Sequence, residues 1–136
     1  MSLTVKTNVS APVATVWSAY TTPSDIVCWN AASNDWHTTR ATVELEEGGE
    51  FCSRMEAKDG STGFDFQGTY TKVVKNSVLA YEFGGRKAEV RFEPSGGGTD
   101  VTVSFEPEES HSVEQQQQGW QAILDNFKTY VEKIYG

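Results

Sequence analysis

Residues 112–134 read SVEQQQQGWQAILDNFKTYVEKI, the pattern of a long amphipathic helix. Ser112 and Gln115 have the spacing of a capping box, in which each side chain satisfies a backbone amide of the other residue. The apolar residues then recur at steps of four and three, which places them on one helical face: Trp120, Leu124, Phe127, Val131 and Ile134. Such an apolar stripe needs a partner surface in order to leave water.

The preceding region, residues 37–105, supplies that surface as a series of strands. Turn sequences interrupt it at Glu47-Gly48-Gly49, Lys58-Asp59-Gly60, Lys75-Asn76, Gly84-Gly85 and Ser95-Gly96-Gly97-Gly98. Between the turns, apolar and polar residues alternate with a period of two, which is typical of an antiparallel sheet with one face in water. The inner face is expected to be aromatic and to contain Phe51, Ser53, Met55, Phe64, Phe66, Gly68, Tyr70, Leu79, Tyr81, Phe83, Ala88, Val90, Phe92, Val101, Val103 and Phe105.

The N-terminal part of the chain predicts one strand and two short helices. Residues 3–9 alternate as an opening strand. Ser10 is expected to cap the first helix, and Thr22 the second. Pro23 would then occupy the first position of the second helix, with Asp25 in its positive first turn.

The segment from Trp29 to Trp36 is polar and irregular, rich in Asn, Ala and Ser. We expect a loop that carries two exposed or half-buried tryptophans. Tryptophans in such a loop either pack on the edge of the domain or close over a cavity, and the sequence leaves both alternatives open.

These patterns together predict an α+β fold. A curved antiparallel sheet of about six or seven strands is expected to wrap around the long C-terminal helix, because that packing removes both apolar surfaces from water. Residues 1–136 are expected to form a single domain, since no linker or internal repeat divides them.

Several short motifs follow one another in a characteristic order along nearly the whole chain. They are Val9-Ser-Ala-Pro-x-x-x-Val-Trp17, Thr22-Pro23 leading to Trp29, Gly48-Gly49-x-Phe51, Asp59-Gly60, Gly68-x-Tyr70, Gly98-Thr99 and Gly119-Trp120. In this set and order the chain resembles the activator of 90-kDa heat-shock-protein ATPase homologue family. That family belongs to the START-like, or birch-pollen-allergen-like (SRPBCC), helix-grip superfamily. The resemblance implies a hydrophobic cavity between sheet and long helix, where superfamily members bind lipids, hormones, polyketides or other aromatic metabolites.

Charge and composition restrict the partners. The formal net charge of −8 and the pI of about 4.7 disfavour nucleic acid and anionic membranes, because phosphate groups would be repelled. The chain has neither an apolar run of about 20 residues nor the make-up of a secretory signal at its N-terminus, so a cytoplasmic protein is expected. Cys28 and Cys52 belong to no metal-binding or redox motif and are expected to be reduced thiols.

No pattern of catalytic or metal-binding residues stands out, and neither a cofactor nor a metal is expected. His37 lies at the entry to a strand, where it could face the interior, whereas His111 lies in a polar segment and is expected to be solvated. The acidic residues 44–47 lack the ligand spacing of a calcium loop. Residues 95–99 are glycine-rich but join two strands, so a hairpin turn is expected and not a phosphate site.

The candidate ligand-binding residues are the aromatic and adaptable side chains expected to face the space between sheet and helix. They are Trp17, Tyr20, Trp29, Trp36, Phe51, Met55, Phe66, Tyr70, Tyr81, Gln116 and Trp120. Phe92, Val103, Phe105 and Phe127 are expected to be core residues, and Trp120 is also compatible with the core. If Tyr70 and Tyr81 are buried, their hydroxyls need hydrogen-bond partners, which a ligand or a trapped water would supply.

The leading hypothesis is the binding of a small hydrophobic or aromatic molecule. Two alternatives remain. One is an enzyme of the polyketide cyclase or aromatase kind, with Tyr70, Tyr81 and His37 as its acids or bases. The other is a protein-interaction module of the co-chaperone kind, for which the acidic surface would attract a basic partner. Either a monomer or a dimer is compatible with the sequence.

Overall fold

The structure, a computed structural model, describes residues 2–135 as seven strands and three helices. In chain order these elements are β1 (Leu3–Val9), α1 (Val13–Thr21), α2 (Pro23–Trp29), β2 (Trp36–Val43), β3 (Glu50–Ala57), β4 (Gly63–Val74), β5 (Val78–Phe83), β6 (Arg86–Ser95), β7 (Gly98–Phe105) and α3 (Val113–Ile134). The predicted fold class is confirmed.

The seven strands form one antiparallel sheet in the order β1-β7-β6-β5-β4-β3-β2. The sheet curls into a half-barrel around α3. Two-residue hairpin turns join β5 to β6 through Gly84 and Gly85, and β6 to β7 through Gly96 and Gly97, whose φ angles of 59° and 82° suit such a turn. The glycine-rich segment 95–99 is therefore the predicted turn.

The core lies where the concave face meets α1 and α3. Phe92, Phe105 and Phe127 are almost fully buried there, and Phe92 makes a T-shaped contact with Trp17 at 5.2 Å between ring centroids. Burying one such side chain stabilises the fold by about 1.5–3 kcal/mol, so the aromatic inner face and the helical stripe hold the two layers together. Leu124 and Val131 extend this buried stripe along α3.

Helix α3 also covers the free edge of β1. Two of its glutamines, which lie outside the apolar stripe, make this contact. Gln117 donates to the carbonyl of Thr4 at 3.2 Å, and Gln121 donates to that of Lys6 at the same distance. Nζ of Lys128 likewise donates a hydrogen bond to the carbonyl of Asn8 at 2.5 Å. These side chains occupy acceptors to which another strand would otherwise pair, so this edge is protected from strand addition.

The helix starts agree with the sequence only in part. Ser112 and Gln115 form the predicted capping box of α3. Ser10 does not cap α1, because the helix begins three residues later and extended Pro12 holds the cap position. Thr22 does occupy the cap position of α2, but its side chain makes no capping hydrogen bond, since this single residue also ends α1.

The two tryptophans near the predicted loop belong to the elements that flank it. Trp29 is the last residue of α2 and is buried, with its indole N–H donating to the carbonyl of Ala19 at 3.0 Å. Trp36 opens β2 and is half-buried. The expectation of an exposed or half-buried Trp29 is thus wrong, because the hydrogen bond to α1 draws its ring inside.

Candidate functional site

A cavity of about 400 Å³ lies between the concave face of the sheet and α3. It is lined by side chains from all three helices, the loop after α2, and five strands. The lining residues are Tyr20, Ile26, Trp29, Asn30, Ala32, Ser33, Trp36, Thr42, Val43, Phe51, Ser53, Met55, Phe64, Phe66, Tyr70, Leu79, Tyr81, Val103, Trp120, Ile123 and Leu124. The aromatic interior is therefore incompletely filled by the protein itself.

Packed rings make the walls of this cavity. Phe51 lies 5.1 Å from Tyr70 and 5.0 Å from Tyr81 between ring centroids. On the helix side, Trp120 stacks on Phe105 at 4.1 Å with the planes only 7° apart. Because each ring is fixed by a neighbour, the cavity has a defined shape before anything enters it.

Gly68 makes room for the Phe51 ring. The two residues face each other across β3 and β4, and a Cβ atom on Gly68 would lie 2.8 Å from Cε2 of Phe51 and 2.3 Å from the carbonyl oxygen of Glu82. Glycine is therefore required at this position by contacts within the sheet. The group that approaches Gly68 closely is the Phe51 ring of the protein itself.

The mouth of the cavity lies between the loop after α2 and the outer strands. Phe64 is half exposed there and contacts Trp36 at 5.9 Å between ring centroids. Phe64 lies on the inner face as predicted, opposite Met55 and in the cavity lining, but at the rim, where it stays 49% exposed. The loop itself is held by Thr38, which donates to the carbonyl of Asn30 at 2.6 Å, and by Asn126, which donates to that of Ala31.

Three tyrosines from different elements, Tyr20, Tyr70 and Tyr81, share this cavity and are called the cavity tyrosines below. Burial raises the pKa of Tyr70 to about 12. Burial also raises the pKa of Tyr20 and of Tyr81, and the neighbouring phenols of the group add to both shifts. All three hydroxyls are therefore protonated at neutral pH.

No Asp, Glu, Lys, Arg or His lines the cavity within the part of the chain that the structure describes. Its polar groups are hydroxyls, amides and indoles, including Ser53, which is buried beside Phe51 and Met55. A charged molecule entering this space would lose its hydration without meeting an opposite charge, which is costly. The lining is suited to neutral, largely apolar groups.

Helix α2, which bounds the cavity, is fixed to α3 by a polar contact on its far side. The carboxylate of buried Asp25 accepts hydrogen bonds from Tyr130 at 2.5 Å and from Tyr135 at 2.9 Å. The bond to Asp25 raises the pKa of Tyr130 well above its ordinary value. Asp25 lies in the first turn of α2 as predicted, but its contact with two phenols was not foreseen.

Nine of the predicted binding residues line the cavity: Tyr20, Trp29, Trp36, Phe51, Met55, Phe66, Tyr70, Tyr81 and Trp120. Trp17 and Gln116 do not. Trp17 packs on Phe92 in the core, because one face of α1 serves both the core and the cavity. The Gln116 side chain instead binds the segment before α3, donating to the carbonyls of Glu108 and His111 at 3.0 and 2.9 Å.

The remaining chemical candidates lie outside the cavity. His37 lies opposite Glu56 in the register of β2 and β3. Its neighbour Trp36 occupies the inner side of the strand, so His37 is on the outer side. His111 is exposed and contacts Glu108. Cys28 and Cys52 are free thiols, as predicted. In residues 2–135 no three His, Cys, Asp or Glu side chains gather into a group suited to a metal.

Several lining residues were missed, and some of them carried a readable signal. Ser53 lies on the same alternating face as Phe51 and Met55, and Ile123 follows Trp120 by one helical turn. Asn30 and Ser33 carried no such signal, because loop geometry is not encoded in a periodic pattern.

No helix within residues 2–135 is long and apolar enough to cross a membrane.

The architecture defines the class first: a sheet curled around a long helix with an apolar cavity between them, as in the START-like superfamily. The family model described as "Activator of Hsp90 ATPase homolog 1-like protein" matches residues 10–132. The chain belongs to this family of Activator of Hsp90 ATPase homolog 1-like proteins.

Solved structures of related chains support this assignment. The AHSA1-like protein from Aeromonas hydrophila is 48% identical, with a TM-score of 0.93, and the match covers 98% of this chain and 93% of that one. Chr148 from Cytophaga hutchinsonii is 44% identical, with a TM-score of 0.82 and coverage of 96% and 91%. Protein NE0264 from Nitrosomonas europaea, at 20% identity, a TM-score of 0.80 and coverage of 98% and 95%, shares the fold. No curated protein matches the chain significantly.

Proposed function

We propose that this protein binds one small, apolar or aromatic molecule in the cavity between its sheet and α3. The observation that carries the proposal is the cavity itself, about 400 Å³ in a chain of 136 residues. Protein interiors are otherwise close-packed, with few voids larger than a water molecule. A space of this size, walled by fixed aromatic rings, is explained by an occupant.

Size and chemistry both support a small-molecule occupant. Sites for such ligands usually measure about 300–1,000 Å³ and combine an apolar wall with a few polar groups. This cavity has that composition, with Phe51, Phe66 and Trp120 in its wall and the cavity tyrosines as its polar groups. Its mouth beside Trp36 and Phe64 offers an entry route for an apolar molecule.

An enzyme of the cyclase or aromatase kind is less well supported by the same residues. A general acid or base works best when its pKa lies near the working pH. Tyr70, with its pKa raised to about 12, is a weak proton donor and is not ionised as a base at neutral pH. Burial raises the pKa of Tyr81, the second candidate, in the same way. His37, the third, lies outside the cavity lining.

The family description names a second candidate, activation of the Hsp90 ATPase. Such an activity would use the outer surface, where an acidic chain of net charge −8 would favour a basic partner. The test is the ATP hydrolysis rate of the host's own Hsp90 with and without this protein. No stimulation at a tenfold molar excess would remove the candidate.

The binding proposal is tested with N-phenyl-1-naphthylamine, a neutral aromatic dye that fluoresces in apolar surroundings. We expect a saturable 1:1 titration with the unmodified protein. In the variant Ile123→Trp, a larger side chain projects from the lining position of α3 into the cavity, so binding should weaken at least tenfold.

The matched control is Ile134→Trp, the same substitution on the same helix. Ile134 is exposed and outside the lining, so this variant should bind the dye like the unmodified protein. The proposal fails if the unmodified protein shows no saturable binding, or if both variants bind the dye as well as it does.

A further inference from the structure

The cavity tyrosines are unusual in this fold because their hydroxyls lack protein partners. Within residues 2–135 none of Tyr20, Tyr70 and Tyr81 forms a side-chain hydrogen bond, yet none of their hydroxyl oxygens is both fully buried and unpartnered. Tyr70 and Tyr81 are nevertheless only 5% and 6% exposed as residues. Their hydroxyls therefore open onto the cavity.

Several other buried polar side chains of the same structure are satisfied by the protein, with Oδ1 of Asn76 as the exception among the described residues. Trp29 donates to the carbonyl of Ala19 at 3.0 Å, and Thr99 donates to that of Ala11 at 2.8 Å. Tyr130 binds the carboxylate of Asp25. Buried polar groups in folded proteins are nearly always hydrogen-bonded, so several unpartnered donors in one cavity indicate a site completed from outside.

The position of the three phenols restricts that site to one region. Tyr70 and Tyr81 are directly paired across β4 and β5, and Tyr20 reaches the cavity from α1. Tyr70 and Tyr81 flank the same Phe51 ring, at 5.1 and 5.0 Å between ring centroids, so their phenols lie on one wall of the cavity. A single acceptor atom placed among them can be reached by more than one O–H donor.

The charge of the site restricts the ligand further. Each phenol is neutral, and no cationic side chain of the described residues lines the cavity. Arg86 acts on Tyr81 only from outside the lining, so a carboxylate or phosphate would be buried without a counter-charge in contact with it, which is unfavourable. A carbonyl oxygen needs only donors, and the phenols provide them.

We infer that Tyr20, Tyr70 and Tyr81 form a polar anchor, and that the ligand is a neutral, mainly apolar molecule whose carbonyl oxygen accepts hydrogen bonds from these hydroxyls. The inference rests on the proposed function and adds to it the chemical class of the ligand. The apolar remainder of the ligand lies against Phe51, Phe66 and Trp120.

The test compares three probes built on the same pair of phenyl rings, with affinities measured by NMR titration. Benzophenone carries a neutral carbonyl, diphenylmethane has no acceptor, and diphenylacetate carries a carboxylate. One net hydrogen bond contributes about 1 kcal/mol, so benzophenone should bind roughly fivefold to tenfold more tightly than diphenylmethane. Diphenylacetate should bind more weakly than the hydrocarbon.

The triple variant Tyr20→Phe/Tyr70→Phe/Tyr81→Phe keeps the three rings and removes all three donors. We expect it to bind diphenylmethane as well as the unmodified protein does and to lose the preference for benzophenone. Tyr135→Phe is the matched control, because its hydroxyl binds Asp25 outside the cavity, and it should keep the preference.

The outcomes separate this inference from the proposed function. If none of the three probes shows saturable binding, the proposed function and the anchor both fail. If diphenylmethane binds and benzophenone binds no better, or if the preference survives in the triple variant, the anchor alone is wrong. Tightest binding by diphenylacetate would likewise overturn the assignment of a neutral ligand.

Discussion

Replacing Tyr130 by Phe removes one hydroxyl that the fold uses, and replacing Tyr81 by Phe removes one that it does not. The Tyr130 hydroxyl donates to buried Asp25 and joins α3 to α2. Hydrogen bonds to charged groups contribute about 1.5–3 kcal/mol. We therefore expect Tyr130→Phe to lower the free energy of unfolding by about 2 kcal/mol, with the remaining bond from Tyr135 limiting the loss.

The same substitution at Tyr81 should behave differently. Its hydroxyl has no partner within residues 2–135 and opens onto the cavity, so no protein hydrogen bond is broken. We expect Tyr81→Phe to change the free energy of unfolding by less than about 0.5 kcal/mol. Tyr135→Phe should fall between the two, because Tyr135 is 47% exposed.

The assay is urea unfolding at pH 7, followed by tryptophan fluorescence, with all variants measured without ligand. For a slope of about 2 kcal/mol per M, the midpoint of Tyr130→Phe should fall by about 1 M, while that of Tyr81→Phe should stay in place. Equal losses in the two variants, or a larger loss at Tyr81, would refute the assignment of the two hydroxyls.

Three further predictions concern pH, packing and thiol reactivity. The folded pKa of Tyr70 is raised to about 12, so its contribution to stability is present below pH 10 and is lost as the pH rises towards 12. When urea unfolding is repeated between pH 9 and 11.5, Tyr70→Phe should lose up to about 2 kcal/mol less stability than the unmodified protein, in which Tyr20, Tyr81 and Tyr130 add to the loss. Equal losses in the two proteins would contradict the raised pKa of Tyr70. Gly68→Ala should lower the free energy of unfolding by about 1–3 kcal/mol, because the new methyl group meets the Phe51 ring and a backbone carbonyl. The double variant Gly68→Ala/Phe51→Leu should recover part of this loss. An unchanged urea midpoint in Gly68→Ala would contradict the close packing. Cys28 is exposed, whereas Cys52 is half-buried and its pKa is raised by burial. Cys28→Ser should therefore remove the faster of two phases in a thiol titration at pH 8. Loss of the slower phase instead would reverse the assignment.

Much of the fold follows from local patterns. The period of two assigned residues such as Phe51 and Tyr81 to the inner face because a pleated strand permits only two sides. The helical stripe of α3 and its capping box were likewise readable, since both depend on fixed sequence spacing. Gly68 was placed on the correct face, but the ring that fills its space comes from another strand and has no local signature.

The cavity was harder to predict because it depends on how elements meet. Trp17 and Tyr20 are both on the inner side of α1, yet only Tyr20 reaches the cavity. Gln116 and Gln121 look alike in the sequence, and the structure uses the first to hold the preceding segment and the second to cover β1. Such differences arise from tertiary contacts, which composition and periodicity do not specify.

The position of a bound molecule is the most direct test of the account. We would record intermolecular nuclear Overhauser effects between N-phenyl-1-naphthylamine and the methyl groups of the protein. The account predicts contacts to Ile26, Leu79 and Leu124, which line the cavity, and none to Leu3 or Ile134, which do not. Contacts confined to Leu3, Ile134 or other methyl groups outside the lining would contradict the claim that this cavity is the binding site.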